Sequence, residues 1–115
     1  MTAILFLFII KHFICDFILQ PPYMYLNKGK FAHPGGMAHA TVHGTATAII
    51  CYAYPTFLTA ALIDGVVHYF IDWGKVNIAK RMGWKPDNSE YYWYLLGLDQ
   101  MLHYLTYAGV ITWVL

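Results

Sequence analysis

The chain has 115 residues, seven basic and six acidic side chains and a net charge of +1; 59% of it is hydrophobic, 18% aromatic and only 11% charged. Water-facing domains carry about a quarter charged residues, so the length admits one domain, 1–115, with too few charges to coat an ordinary surface. No basic patch interleaves with aromatics, so no nucleic-acid partner is expected.

In chain order, the apolar runs predict an all-α integral membrane bundle of four transmembrane helices, because a bilayer core of about 30 Å needs about 20 apolar residues per helix. The first run covers roughly 2–19 and opens with "AILFLFII". It has no positive n-region and no small-residue cleavage site, so it reads as a retained helix rather than a signal peptide. Pro21, Pro22, Pro34, Gly35 and Gly36 then break the chain. The second and third runs, roughly 37–54 and 56–73, meet in a tight turn around Pro55. Lys75 to Trp84 predict a short interfacial helix, with Val76, Ile78, Ala79 and Met82 at helical spacing, and the fourth run covers roughly 92–115. Cys15 and Cys51 lie in apolar runs without paired spacing and read as small buried hydrophobes, not as a disulfide.

Four spans place the loops after the first and third on one side. Those loops hold Lys28, Lys30, Lys75, Lys80, Arg81 and Lys85, so the positive-inside bias makes them two cytoplasmic loops. Both termini then lie outside, in a bacterial inner membrane with the lipid bilayer as partner, and Tyr23, Tyr25, Trp73, Trp84, Tyr91, Tyr92, Trp93 and Tyr94 form a belt on the cytoplasmic face.

Each run carries ionisable residues four apart: His12 and Asp16; His39 and His43; Asp64, His68 and Asp72; Asp99 and His103. On a helix such residues share one face a turn apart, so each set aims at one target. With the expected topology all four sets reach similar depth. One histidine on an apolar helix is more often a hydrogen-bonded core residue, but four converging sets favour a cation that offsets buried carboxylate charge. The metal candidates are His12, Asp16, His39, His43, His68, Asp72, Asp99 and His103. Imidazole and carboxylate suit a divalent transition metal, zinc first and manganese or iron next. Eight candidates allow either one ion with hydrogen-bonded outer residues or two ions. His33 reads as a loop residue near the mouth, and Gln20 and Gln100 as hydrogen-bond partners of ligands or as caps.

"HFICDFILQ", "HATVH", "HYFID" and "LDQMLH", in this order, resemble a family of small bacterial and phage membrane proteins of unknown function, catalogued as domain of unknown function 3307. The resemblance covers nearly the whole chain. It implies a compact helical membrane domain with these polar positions and brings no activity with it. A looser, motif-level likeness to membrane-bound metal-dependent hydrolases favours hydrolysis.

The expected function is therefore a membrane-embedded, metal-dependent hydrolase acting on a lipid or phosphate ester near the cytoplasmic face. Asp99 or Asp64 would serve as general base, and Lys11, Lys28 or Arg81 would hold the anionic group. The alternatives are a divalent-metal or proton transporter, for which an oligomer is one form, a haem-binding bundle, and a phage-type accessory protein with a structural metal. No G-x-S-x-G or H-E-x-x-H occurs, so serine-hydrolase and zincin chemistry are not supported.

Overall fold

The computed structural model describes residues 1–115, and every regular element is helical. Helix α1 (Thr2–Phe13) widens into a π-helical turn at Ile14–Ile18; α2 (Pro22–Tyr25) is a single turn. Helices α3 (Pro34–Cys51), α4 (Phe57–Met82) and α5 (Glu90–Gly109) follow, and α5 ends in a second π-helical stretch, Val110–Val114.

Local chemistry sets these ends. Pro34 occupies the first turn of α3, where its missing N–H is no loss, and His33 caps it by accepting the Gly35 N–H at 3.0 Å through Nδ1. The predicted helix-breaking run at Pro34–Gly36 is thus the start of α3, and His33 is its cap. The Ser89 hydroxyl caps α5 with Glu90 in the first turn, where an acid suits the helix dipole. Helix α4 stops at Gly83, whose φ of 69° is left-handed and favours glycine.

Helices α3 and α4 pack most extensively, and two glycines set their spacing. A Cβ on Gly44 would stand 3.0 Å from the Ala61 carbonyl oxygen, and one on Gly65 would stand 3.3 Å from that of Ala40. The backbones therefore touch where the chain has no side chain. His43 precedes one glycine and Asp64 the other, so the close crossing brings their helices' polar faces together.

The structure corrects the membrane-spanning expectation: no helix is long and apolar enough to cross a membrane. Length and apolarity fall in different helices. The most apolar, α1, has 12 residues, about 18 Å at 1.5 Å per residue, before the wide turn and Pro21. Helix α4 has 26 residues but carries Asp64, Asp72, Lys75, Lys80 and Arg81. Lys75–Met82 is therefore the last part of α4 and not a separate interfacial helix. With the spans go the inner-membrane placement, the cytoplasmic loops, the outward termini and the aromatic belt.

The interior is unusual in content. Nine hydrophobic residues are buried, beside ten polar or charged ones: Lys11, His12, His39, His43, Thr47, Asp64, His68, Asp72, Asp99 and His103. The apolar core, built from Ile4, Phe8, Cys51, Ala60, Tyr107, Val110 and Ile111, fills one end. Much of the remaining apolar surface points outward, Phe6, Phe17, Leu105 and Trp113 among it.

Candidate metal centre

The buried polar residues recur at intervals of four: His39, His43 and Thr47 on α3; Asp64, His68 and Asp72 on α4; Asp99, His103 and Tyr107 on α5. That spacing keeps each series on one face. The π-helical turn at the end of α1 carries Asp16 into the middle of these faces. Such turns recur at functional sites because the extra residue re-aims the side chains around it.

Three imidazoles converge on one oxygen of Asp16. From Oδ1 to Nε2 the distances are 2.8 Å for His43, 3.2 Å for His39 and 3.7 Å for His68. His39 Nε2 and His68 Nε2 are 3.1 Å apart, and each lies 3.3 Å from Asp72 Oδ2. His103 Nε2 lies 3.3 Å from Asp72 Oδ1 and 3.5 Å from Asp99 Oδ1. Two overlapping sets result, Asp16 with His39, His43 and His68, and His68 with Asp72 and His103; within each set the candidate ligand atoms lie within 4.8 Å of one another. His43 and His68 stack at 3.6 Å between ring centroids and His68 and His103 at 4.1 Å, so the rings fix one another's tilt.

The hydrogen-bond inventory does not close on protein groups alone. Nδ1 of His39, His43 and His68, Asp64 Oδ1 and Gln20 Oε1 are buried without a hydrogen-bond partner, and Asp72 Oδ2 and Asp99 Oδ1 meet imidazole or ammonium nitrogens only at 3.3–3.5 Å, without an aligned hydrogen bond. Buried polar atoms are normally paired, because an unmade bond costs about 1–3 kcal/mol. Bonds of about 2.0–2.1 Å from a tetrahedral ion to nitrogen imply ligand separations of about 3.3 Å. His39 stands close to that spacing, 3.1 Å from His68 and 3.2 Å from Asp16, while His43 lies nearer Asp16 at 2.8 Å and His68 farther at 3.7 Å.

Electrostatics prepare the donors. Burial alone would raise the Asp16 carboxyl, but hydrogen bonds from His12, His39 and His43 outweigh it and hold it well below the usual carboxylate range. Burial is likewise overcome at Asp72, by the charge of His68 and by hydrogen bonds from His103, His39 and His68. Burial drives His43 down to about 4 and His68 well below the ordinary imidazole value. His103 is raised to about 9: burial is outweighed by hydrogen bonds to Asp72 and Asp99. His39 is raised in the same way, by Asp16 and Asp72.

Two predicted ligands stand outside the convergent sets. His12 Nε2 lies 2.8 Å from Gln100 Oε1 and 3.0 Å from Asp16 Oδ2, while Nδ1 lies 2.7 Å from the Tyr107 hydroxyl. Both nitrogens are satisfied, so His12 orients Asp16. Asp99 accepts from Gln100 Nε2 at 3.0 Å and lies beside His103 and Lys75. Asp64 belongs elsewhere: it pairs with Lys11 and accepts from Thr47, one helical turn from His68. Gln20 donates to the Asp16 carbonyl and so caps the helix end.

Tyr107, Thr47, Lys75 and the two crossing glycines were not among the predicted site residues. Tyr107 and Thr47 simply continue the four-residue series of their helices, which is a signal legible in the sequence. Lys75 has no such mark, because its partner Asp99 lies on another helix.

No curated protein and no solved structure matches the chain. The all-helical fold and the family lend no support to a hydrolase or phage assignment. Residues 4–115, essentially the whole chain, match the family described as protein of unknown function (DUF3307), and the chain belongs to that family.

Proposed function

We propose that this protein binds a divalent transition metal, zinc by preference, at the junction of α1, α3, α4 and α5. One observation carries the reading. His39, His43 and His68 aim Nε2 at a single oxygen of Asp16 while their other nitrogens have no partner. Three Nε2–H donors crowd an oxygen that accepts about two bonds, whereas neutral imidazoles protonated on Nδ1 turn three Nε2 lone pairs towards the same point, where an ion takes them up. Asp16, His39, His43 and His68 form the primary ligand set, and His68, Asp72 and His103 border a second position.

His12, held by Tyr107 and Gln100, steadies Asp16 from behind, as outer hydrogen bonds do for metal-bound carboxylates. The spacing suits an ion and leaves no room for a porphyrin between His39 and His68, 3.1 Å apart. A metal here supplies Lewis acidity towards an ester or phosphoryl oxygen. Of the two carboxylates expected as a general base, Asp99 is the one beside the centre; Asp64 is committed to Lys11.

The test is metal content by mass spectrometry after reconstitution with zinc, manganese or iron, with the wild type beside Asp16→Asn and His43→Ala. One or two equivalents in the wild type and a loss in both variants is the expected result. A wild type that retains no ion after reconstitution refutes the reading.

A further inference from the structure

Lys28 and Lys75 stand at the edge of the cluster in a way that the metal alone does not explain. Lys28 Nζ lies 3.4 Å from Asp72 Oδ2 and Lys75 Nζ 3.7 Å from Asp99 Oδ2, with side chains 13% and 22% exposed, against 4% or less for the two carboxylates. Neither contact is among the hydrogen bonds of the structure, so both ammonium groups sit close but loosely held, between the buried centre and solvent.

Lys28 is placed with some care. Its loop is pinned to α4 by Asn77, whose Nδ2 donates to the Gly29 carbonyl at 2.8 Å. A Cβ on Gly29 would strike Val76 Cγ1, and one on Gly36 would stand 3.0 Å from the Lys28 Cα. Two glycines thus let the Lys28 backbone lie directly against α3 and α4.

Beside Lys75 a groove of about 400 Å³ runs between α4 and α5. Its walls include Val67, Phe70, Ile71, Leu98 and Leu102, and its charged members are Lys75 and Asp99. An apolar groove therefore carries in its wall a lysine that borders the candidate metal centre.

Charge completes the argument. Asp16, Asp72 and Asp99 supply three negative charges, and Lys28 and Lys75 two positive ones. A dication on the Asp16, His39, His43 and His68 set leaves positive charge in excess whether His103 is neutral or protonated, and an anion answers it.

We infer that the metal centre receives an amphiphilic phosphate: its oxyanion lies between the metal and the ammonium groups of Lys28 and Lys75, and its apolar group lies in the α4–α5 groove. This inference rests on the metal-binding reading. Lysine ammonium is a mobile point charge suited to phosphate, and charge-assisted contacts of this kind are the strong ones.

The experiment is calorimetric titration of zinc-loaded protein with inorganic phosphate, hexyl phosphate and a short-chain phosphatidic acid below its micellar concentration, with metal content measured on every sample. Wild type should bind hexyl phosphate more tightly than inorganic phosphate. Lys28→Gln and Lys75→Gln should each weaken binding about tenfold or more with metal content unchanged; Lys28→Arg should restore part of it. Lys30→Gln, altering an exposed lysine that reaches Asn27, should change nothing. Preference for phosphatidic acid over hexyl phosphate identifies a lipid headgroup, and equal affinity a soluble monoester; both support the inference. Metal-loaded wild type that binds none of the three overturns the inference and leaves the metal reading standing. Lysine variants with wild-type affinity, lysine variants that lose the metal, or equal binding of inorganic and hexyl phosphate also overturn it. A wild type without metal overturns both.

Discussion

Two groups of charged residues lie buried a helical turn apart along α4, and they are built on different plans. In the first, Lys11 meets Asp64 one to one, Thr47 bonds both, and the rings of Phe8 and Tyr107 flank the ammonium at 5.4 and 4.5 Å from their centroids. Its charges cancel among protein groups, and aromatic faces favour the cation further. In the second, carboxylates and imidazoles from four helices crowd together, and three imidazoles aim at one carboxylate oxygen. The contrast separates a charge pair that belongs to the fold from one arranged around something else. It also explains why Asp64, although in step with His68 and Asp72, is a poor candidate for a base at the centre.

The largest test of this difference is to break the first group. Asp64→Ala should cost about 3–5 kcal/mol in chemical denaturation, because it strands the Lys11 ammonium in the interior, while Lys11→Met with Asp64→Leu should recover most of the loss. Metal content should survive in the double variant; its disappearance would join the two groups into one site. Next in size is removal of the ion from the second group. With free metal at about 100 times its dissociation constant, binding contributes about 2.7 kcal/mol, so chelation should lower the melting temperature of the wild type and leave Asp16→Asn unmoved.

Gly44→Ala probes the crossing that joins them. Its Cβ meets the Ala61 carbonyl oxygen, so a loss of about 1–3 kcal/mol is expected, with weaker metal binding because His39 and His43 are pushed from α4.

The smallest effect is one of pH in the metal-free protein. His103, raised to about 9, contributes stability that is complete below its ordinary value of 6.5 and is lost as pH rises through 9. His43, lowered to about 4, acts in the opposite sense: its contribution is present above 6.5 and is lost as pH falls towards 4. Denaturation curves should therefore lose stability between pH 6.5 and 9, and His103→Gln should flatten that limb.

The helical class and the polar faces were legible because a separation of four needs only one helix to be meaningful: His39 and His43 share a face wherever α3 is placed. Gathering of the faces was legible too, since carboxylates and imidazoles buried on several helices have to satisfy one another. What misled was averaging. A run such as 56–73 counts Asp64, His68 and Asp72 among apolar neighbours, so its mean hydropathy hides the stripe that decides where it packs. The pairing of Lys11 with Asp64 was beyond reach, because 53 residues separate them and the spacing of Asp64 points to His68 and Asp72 instead. The same holds for Lys28 and Asp72. Gly44 and Gly65 escaped notice because each stands isolated within its helix, and only the crossing gives them meaning.

The wide turn at Ile14–Ile18 has a consequence of a different kind. Each residue of an α-helix advances the chain by about 100°, and a π-helical turn holds one residue more than the regular winding. The position of Asp16 therefore depends on the phase of the helix as well as on the side chain itself. Deleting one apolar residue from this turn would leave the composition nearly unchanged, yet it would swing everything beyond the lesion by about a third of a revolution relative to His12. At this point the chain is read as a count, and an error in the count is more damaging than an error in the letter.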